Sequence, residues 1–124
     1  MVEAEFPAEQ FSKTVQQFKA AIQDDLEHGL TVAFHGANVG LNNFLSLSGL
    51  GHDTRLRIFD GDESKTGAFL PLSQSPIIHS FDNAYGTYQR IYVAATSFYA
   101  QIVGEMSEQH GLSPEIFRLM RFQG

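Results

Sequence analysis

Apolar residues early in the chain fall at Phe11, Val15, Phe18, Ile22 and Leu26, with mostly polar residues between them. Steps of three and four put all five on one face of a helix. The spacing predicts a helix from Ala8 to His28, and Gly29 stands where a C-terminal cap belongs. The pattern then changes to a short β-favouring run, Leu30-Thr31-Val32-Ala33-Phe34-His35, which stops at Gly36-Ala37-Asn38-Val39-Gly40. This reads as a strand followed by a turn. Helical spacing returns at Leu41, Phe44, Leu45 and Leu47 and ends at Gly49 and Gly51, which predicts a second helix over Leu41 to Leu50.

A second strand fits Leu56 to Phe59, with the flanking charges Arg55 and Arg57 leaving only its centre deeply buried. A turn-rich loop from Asp60 to Pro76 follows, then a short strand at Ile77 and Ile78. Arg90 to Ala95 is a further strand. The helix from Ser97 to His110 carries Phe98, Ile102 and Met106 on one side and closes at Gly111. The tail Ile116 to Phe122 mixes apolar residues with two arginines, a pattern suited to an edge strand. Strands alternating with helices imply parallel pairing, with helices on both faces of the sheet. The expected architecture is a small Rossmann-like three-layer α/β domain with a mostly parallel sheet of four to five strands. No repeat or linker divides residues 1–124, so one domain is expected, with Met1 to Pro7 as a loose leader.

At 124 residues and 43% hydrophobic content the chain can bury a core without disulfides or metal. Eight basic against fourteen acidic residues give a net charge of −6, and the basic residues are scattered. A nucleic-acid partner is therefore not expected, since such a surface carries the opposite field. The absence of cysteine excludes disulfides, thiolate metal sites and a cysteine nucleophile. No apolar run approaches the length of a membrane helix, so a cytoplasmic protein without a membrane partner is expected.

Candidate chemistry gathers where the strands end. Gly36 in the turn after the first strand lets the backbone approach a ligand, and the following helix directs free amides at an anion such as phosphate. The same glycine is equally explained by a structural tight turn. Asn38 stands where the second glycine of a dinucleotide motif would be. Asn42 and Asn43 are either donors to a ligand or polar first-turn residues. Asp60 either accepts from a ribose diol or opens an Asp-Gly turn. Lys65 neutralises a phosphate, pairs with Asp60, Asp62 or Glu63, or is simply solvated. Thr96 and Ser97 lie at the same sheet edge, and helix capping is the favoured role for their hydroxyls. Among five histidines without metal-ligand spacing, His35 alone lies near the cleft. No G-x-S-x-G elbow, P-loop or phosphoacceptor acid pair is present, so the chain reads as a binding module.

The run Val32-Ala33-Phe34-His35-Gly36-Ala37, then Asn42, Phe59-Asp60, Ser64-Lys65-x-Gly67-x-x-Leu70-Pro71 and Pro76-Ile77 resembles the C-terminal domain of the sugar C-methyltransferases. Those enzymes use S-adenosylmethionine to methylate a ring carbon of nucleotide-linked deoxysugars. The resemblance extends from the first helix through the helix at Ser97 to Met106, and its most specific part is Asp60 to Pro71. The family's tyrosine is His35 here, and its glycine before Asn42 is Leu41. The family's methyl-donor domain and its cysteine-bound zinc domain have no counterpart in this chain.

The resemblance implies a nucleotide-sugar ligand contacted by Gly36, Ala37, Asn38, Asn42, Asp60 and Lys65, with His35 and Thr96 completing the candidate set. It implies no cofactor in this domain, S-adenosylmethionine belonging to a separate domain or partner, and no methyl transfer by the domain alone. The alternative expectation is an interaction domain of the same fold that docks onto a partner methyltransferase or pairs as a homodimer. A dinucleotide-dependent oxidoreductase fragment ranks last, because half of a dinucleotide fold is missing.

Overall fold

The computed structural model describes residues 7–122, so the expected leader lies almost wholly outside the described residues. Five strands form one sheet in the order β3-β2-β1-β4-β5, and every neighbouring pair is parallel. They are β1 (Val32–His35), β2 (Arg57–Asp60), β3 (Ile77–His79), β4 (Arg90–Val93) and β5 (Phe117–Leu119). The helices are α1 (Pro7–Glu27), α2 (Val39–Ser48) and α3 (Tyr99–His110). A small Rossmann-like α/β domain, as the sequence predicts, is what the chain forms.

The alternation of side chains along each strand builds two cores on opposite faces of the sheet. Val32, Phe34, Ile58 and Tyr92 face Val15 and Ile22 of α1 and Leu41, Phe44 and Leu45 of α2. Ala33, Phe59, Ile91 and Val93 face Met106 of α3, Tyr85 and Phe117. Because both faces are covered, the central strands are apolar at nearly every position, as parallel sheets require. The tail strand β5 lies at one edge, where Phe117 is buried while Arg118 and Leu119 are exposed. Among the described residues, no helix is long and apolar enough to cross a membrane.

Two helix starts differ from the sequence reading, each for a local reason. α2 begins at Val39 rather than Leu41, because Asn38 is its N-cap: Oδ1 accepts from the Leu41 amide at 2.9 Å. Gly40, read as part of the turn, lies in the first helical turn. α3 begins at Tyr99 rather than Ser97, and a short 3₁₀ turn over Thr96–Phe98 precedes it. Neither the 3₁₀ turn nor α3 has a side-chain cap, so the capping role expected of Thr96 and Ser97 is not realised.

Candidate functional site

The order β3-β2-β1-β4-β5 reverses direction between β1 and β4, and at such a point the connections leaving the two strands diverge to opposite faces. The chain leaving β1 passes the chain leaving β4 very closely. Gly36 has φ +112°, and a Cβ there would lie 2.8 Å from the Ala95 nitrogen. Both the conformation and the space demand glycine. The turn is then tied on two sides: Asn38 Nδ2 donates to the Ala94 carbonyl at 3.2 Å, and the Ala37 amide donates to Asp60 Oδ2 at 2.8 Å.

Asp60 ends β2 and serves as a brace between turns. Its Oδ2 takes the Ala37 amide and its Oδ1 takes the Asp62 amide, both at 2.8 Å. Lys65 Nζ lies 3.8 Å from Oδ2 and donates to the Ala37 carbonyl at 3.1 Å. Asn42 Oδ1 accepts the Leu72 amide at 3.2 Å. Gly67, at φ +85°, donates to the Ile77 carbonyl at 2.8 Å, and the Ile77 amide returns a bond to Ala68. Asp60, Lys65 and Asn42 thus fasten the 60–72 loop to the turn after β1.

A crevice of about 650 Å³ opens at the point where the strand order reverses. Asn38, Val39, Gly40 and Asn43 of the α2 start form one wall and Ala94 and Thr96 the other. Phe11, Arg121 and Phe122 close the outer side. Phe122 is wedged among Phe11, Phe18 and Phe44, with ring centroids 5.3, 5.9 and 5.8 Å away, which fixes the tail beside the crevice. The Asn38 side chain caps the Leu41 amide. The amides of Val39 and Gly40 have no acceptor among the described residues and stand at the positive end of the helix. Among the described residues, Arg121 is the one charged residue lining the crevice. The arrangement offers backbone amide donors to an anion, with Arg121 and Asn43 among the lining residues and an aromatic wall beside them.

The eight sequence candidates are divided among three depressions. Asn38 and Thr96 line the crevice. Ala37, Asn38, Asn42 and Lys65 line a neighbouring hollow with Leu70 and Pro71. His35, Gly36 and Asp60 line a third cavity on the α3 face. His35 is buried there, its Nδ1 2.8 Å from the Tyr85 hydroxyl. Burial pushes its pKa down to about 4 against a smaller opposing pull from Asp60, so the ring is neutral near pH 7. Burial also raises the Tyr85 hydroxyl, which stays protonated.

Sequence reasoning missed Phe11, Val39, Gly40, Arg121 and Phe122 as parts of the crevice wall. Arg121 and Phe122 come from the far end of the chain, and no local motif marks them. Among the described residues, no three His, Asp or Glu side chains are grouped so as to hold a metal ion.

Fold and crevice together define a small doubly wound parallel α/β domain with a ligand-sized opening at the carboxyl edge of its sheet. Comparison of the chain with family models, with curated proteins and with solved structures gave no match in any of the three.

Proposed function

We propose that this domain binds a nucleotide-sugar or a related nucleoside diphosphate in the crevice between β1 and β4, and does not transfer a methyl group by itself. The observation that supports this reading is that the unpartnered amides of Val39 and Gly40 and the residue Arg121 line one opening. A diphosphate answers both, since helix starts and arginine each favour phosphate oxygens. Phe11 and Phe122 offer a base or sugar ring an apolar wall.

By the same reading, S-adenosylmethionine is met on another domain or a partner. Asp60, which would be its ribose acceptor in this fold, has each carboxylate oxygen engaged by a backbone amide. Calorimetric titration with a nucleoside diphosphate sugar, the matching monophosphate and the free sugar tests the proposal. Affinity should fall in that order, by about tenfold or more for the loss of one phosphate's charged hydrogen bonds. Equal or absent heats at millimolar ligand would count against it.

A second reading rests on a separate observation. α2 presents Val39 and Leu47 to solvent two turns apart, and Leu72, also exposed, is held beside Asn42 by its amide. A docking face for a partner methyltransferase or for a second copy would use these side chains. Sedimentation across a concentration series checks self-association: a monomer at every concentration removes the homodimer.

A further inference from the structure

The carboxyl edge of the sheet holds a second, smaller cavity of about 240 Å³ on the α3 face, which shares no lining residue with the crevice. Its walls come from the ends of β1, β2 and β3 and from α3. Two polar side chains in this wall are almost wholly buried: Ser80 is 2% exposed and His35 is 5% exposed. Ser80 Oγ lies 3.6 Å from where a Cβ on Gly61 would sit, and so faces a wall residue of the same cavity. Among the described residues that hydroxyl has no hydrogen-bond partner.

The proton on His35 is placed by its neighbour. Tyr85 is fully buried, and its hydroxyl has one partner, His35 Nδ1 at 2.8 Å. A buried phenol without an acceptor would cost about 1–3 kcal/mol, so the hydroxyl donates to Nδ1 and the ring proton resides on Nε2. Nε2–H has no acceptor among the described residues. The cavity therefore offers an N–H donor and a hydroxyl that keep some contact with the cavity's solvent; among the described residues the buried side-chain polar atom without a partner is Ser107 Oγ, elsewhere on α3.

The rest of the lining is acidic or apolar apart from Gln101 and the glycines. Asp62 and Glu105 bring carboxylates, with one Asp62 oxygen also held by Ser64; the Asp60 carboxylate is engaged by two amides and lies near Lys65; among the described residues no lysine or arginine lines the cavity, and Ile102 and Met106 make an apolar side. Phe98, 60% exposed, stands at the wall with its ring available to a cation. Such a lining disfavours anions, and the His35 and Ser80 side chains favour a guest that carries a hydrogen-bonding group.

We infer that this cavity binds a small hydroxylated organic ammonium, whose charge is held by Asp62 and Glu105 and whose hydroxyl is met by His35 Nε2–H and Ser80 Oγ. Phe98 covers the ammonium from outside. The volume lies just under the usual range for drug-sized pockets, about 300–1,000 Å³, which limits the guest to one small ring or a short chain.

Glucosamine and glucose make a matched probe pair that differs by one ammonium in place of a hydroxyl. Amide chemical shifts of the full chain are followed at pH 6 during titration with each. Glucosamine should move the amides of Gly61, Ser80 and Gln101 saturably and bind about fivefold more tightly than glucose, a ratio suited to a part-exposed charge pair. Ser80→Ala should weaken glucosamine about threefold, and Glu105→Gln should bring it toward the affinity of glucose, with thermal unfolding confirming that both variants fold. Absence of saturable shifts at tens of millimolar, equal affinity for the two sugars, or indifference to both substitutions overturns the inference. A nucleoside diphosphate reports instead at Gly40 and Thr96, so failure here and failure of the crevice reading are separately visible.

Discussion

The turn after β1 and the loop after β2 both sit at the carboxyl edge of the sheet, yet they treat their polar groups in opposite ways. In the 60–72 loop the groups that look functional are turned inward: Asp60 joins two turns, Lys65 bonds the Ala37 carbonyl, and Asn42 holds Leu72. In the turn after β1 the backbone is fixed by Gly36 and Asn38, and the Val39 and Gly40 amides are left facing an opening. A polar cluster that satisfies itself braces the fold. A smaller set of groups left unsatisfied at a cavity marks the place for a ligand.

The largest effect expected from disturbing this arrangement is at Gly36. Gly36→Val combines a positive φ with a Cβ forced against Ala95, so a loss of about 4 kcal/mol is expected from strain and overpacking together. Urea denaturation checks it, and an unchanged midpoint would remove the claim that the two strand-end segments must touch.

Next in size is an acid-side dependence that belongs to the α3 face. His35 has a folded pKa of about 4 against an ordinary 6.5, so the unfolded chain binds the proton more readily. Its contribution is complete above pH 6.5 and is lost as the pH falls toward 4. The amount is on the order of 3 kcal/mol. Stability measured from pH 7 to 4 should lose that slope in His35→Gln; an equal slope in the variant would assign the effect to other groups.

Asp60→Ala separates the brace from the binding wall. It leaves the Ala37 and Asp62 amides without their acceptor and should lower stability by about 2 kcal/mol. Nucleotide affinity at a temperature where the variant is folded should change by less than that. A large loss of affinity with little loss of stability would instead make Asp60 a ribose contact.

Arg121→Ala is the reverse case. Stability should be nearly unchanged, because the part of Arg121 that lines the crevice is not within either core. Affinity for a nucleoside diphosphate should fall by about 1.5 kcal/mol, the scale of one charge-assisted contact.

The sheet was legible because its information is local. Phe11 to Leu26, Val32 to Phe34 and Arg90 to Val93 state their period within a few residues, and coverage on both faces makes the strands uniformly apolar. The start of α2 lies two residues before the predicted Leu41 because Val39-Gly40 looks like turn sequence, and that of α3 lies two residues after the predicted Ser97 because Thr96–Phe98 forms a 3₁₀ turn instead of the first α-helical turn. Only the cap geometry of Asn38 and the 3₁₀ turn at Thr96 settle where the helices begin. At the site, Gly36 and Asn38 were visible as a strand-end turn. The turn-opening role of Asp60 and the Lys65–Asp60 pairing were among the open readings, but their bonds to Ala37 were not, because residues 23 to 28 apart do not reveal in sequence which partner they meet. Arg121 and Phe122 were invisible as wall residues, since the tail reaches the crevice only after β5 joins β4 and Phe122 enters the aromatic group of α1 and α2.

On the proposed reading, a nucleotide ligand meets the turn after β1 and the Arg121 wall, and not the Asp60 loop. The decisive measurement follows amide shifts of the wild-type chain and of Arg121→Ala, titrated side by side with a nucleoside diphosphate sugar. Saturable shifts centred on Val39, Gly40, Asn43 and Thr96 are expected in the wild type, with affinity about tenfold weaker in the variant. Shifts confined to Asp60 through Pro71, or no shifts at millimolar ligand, would contradict it.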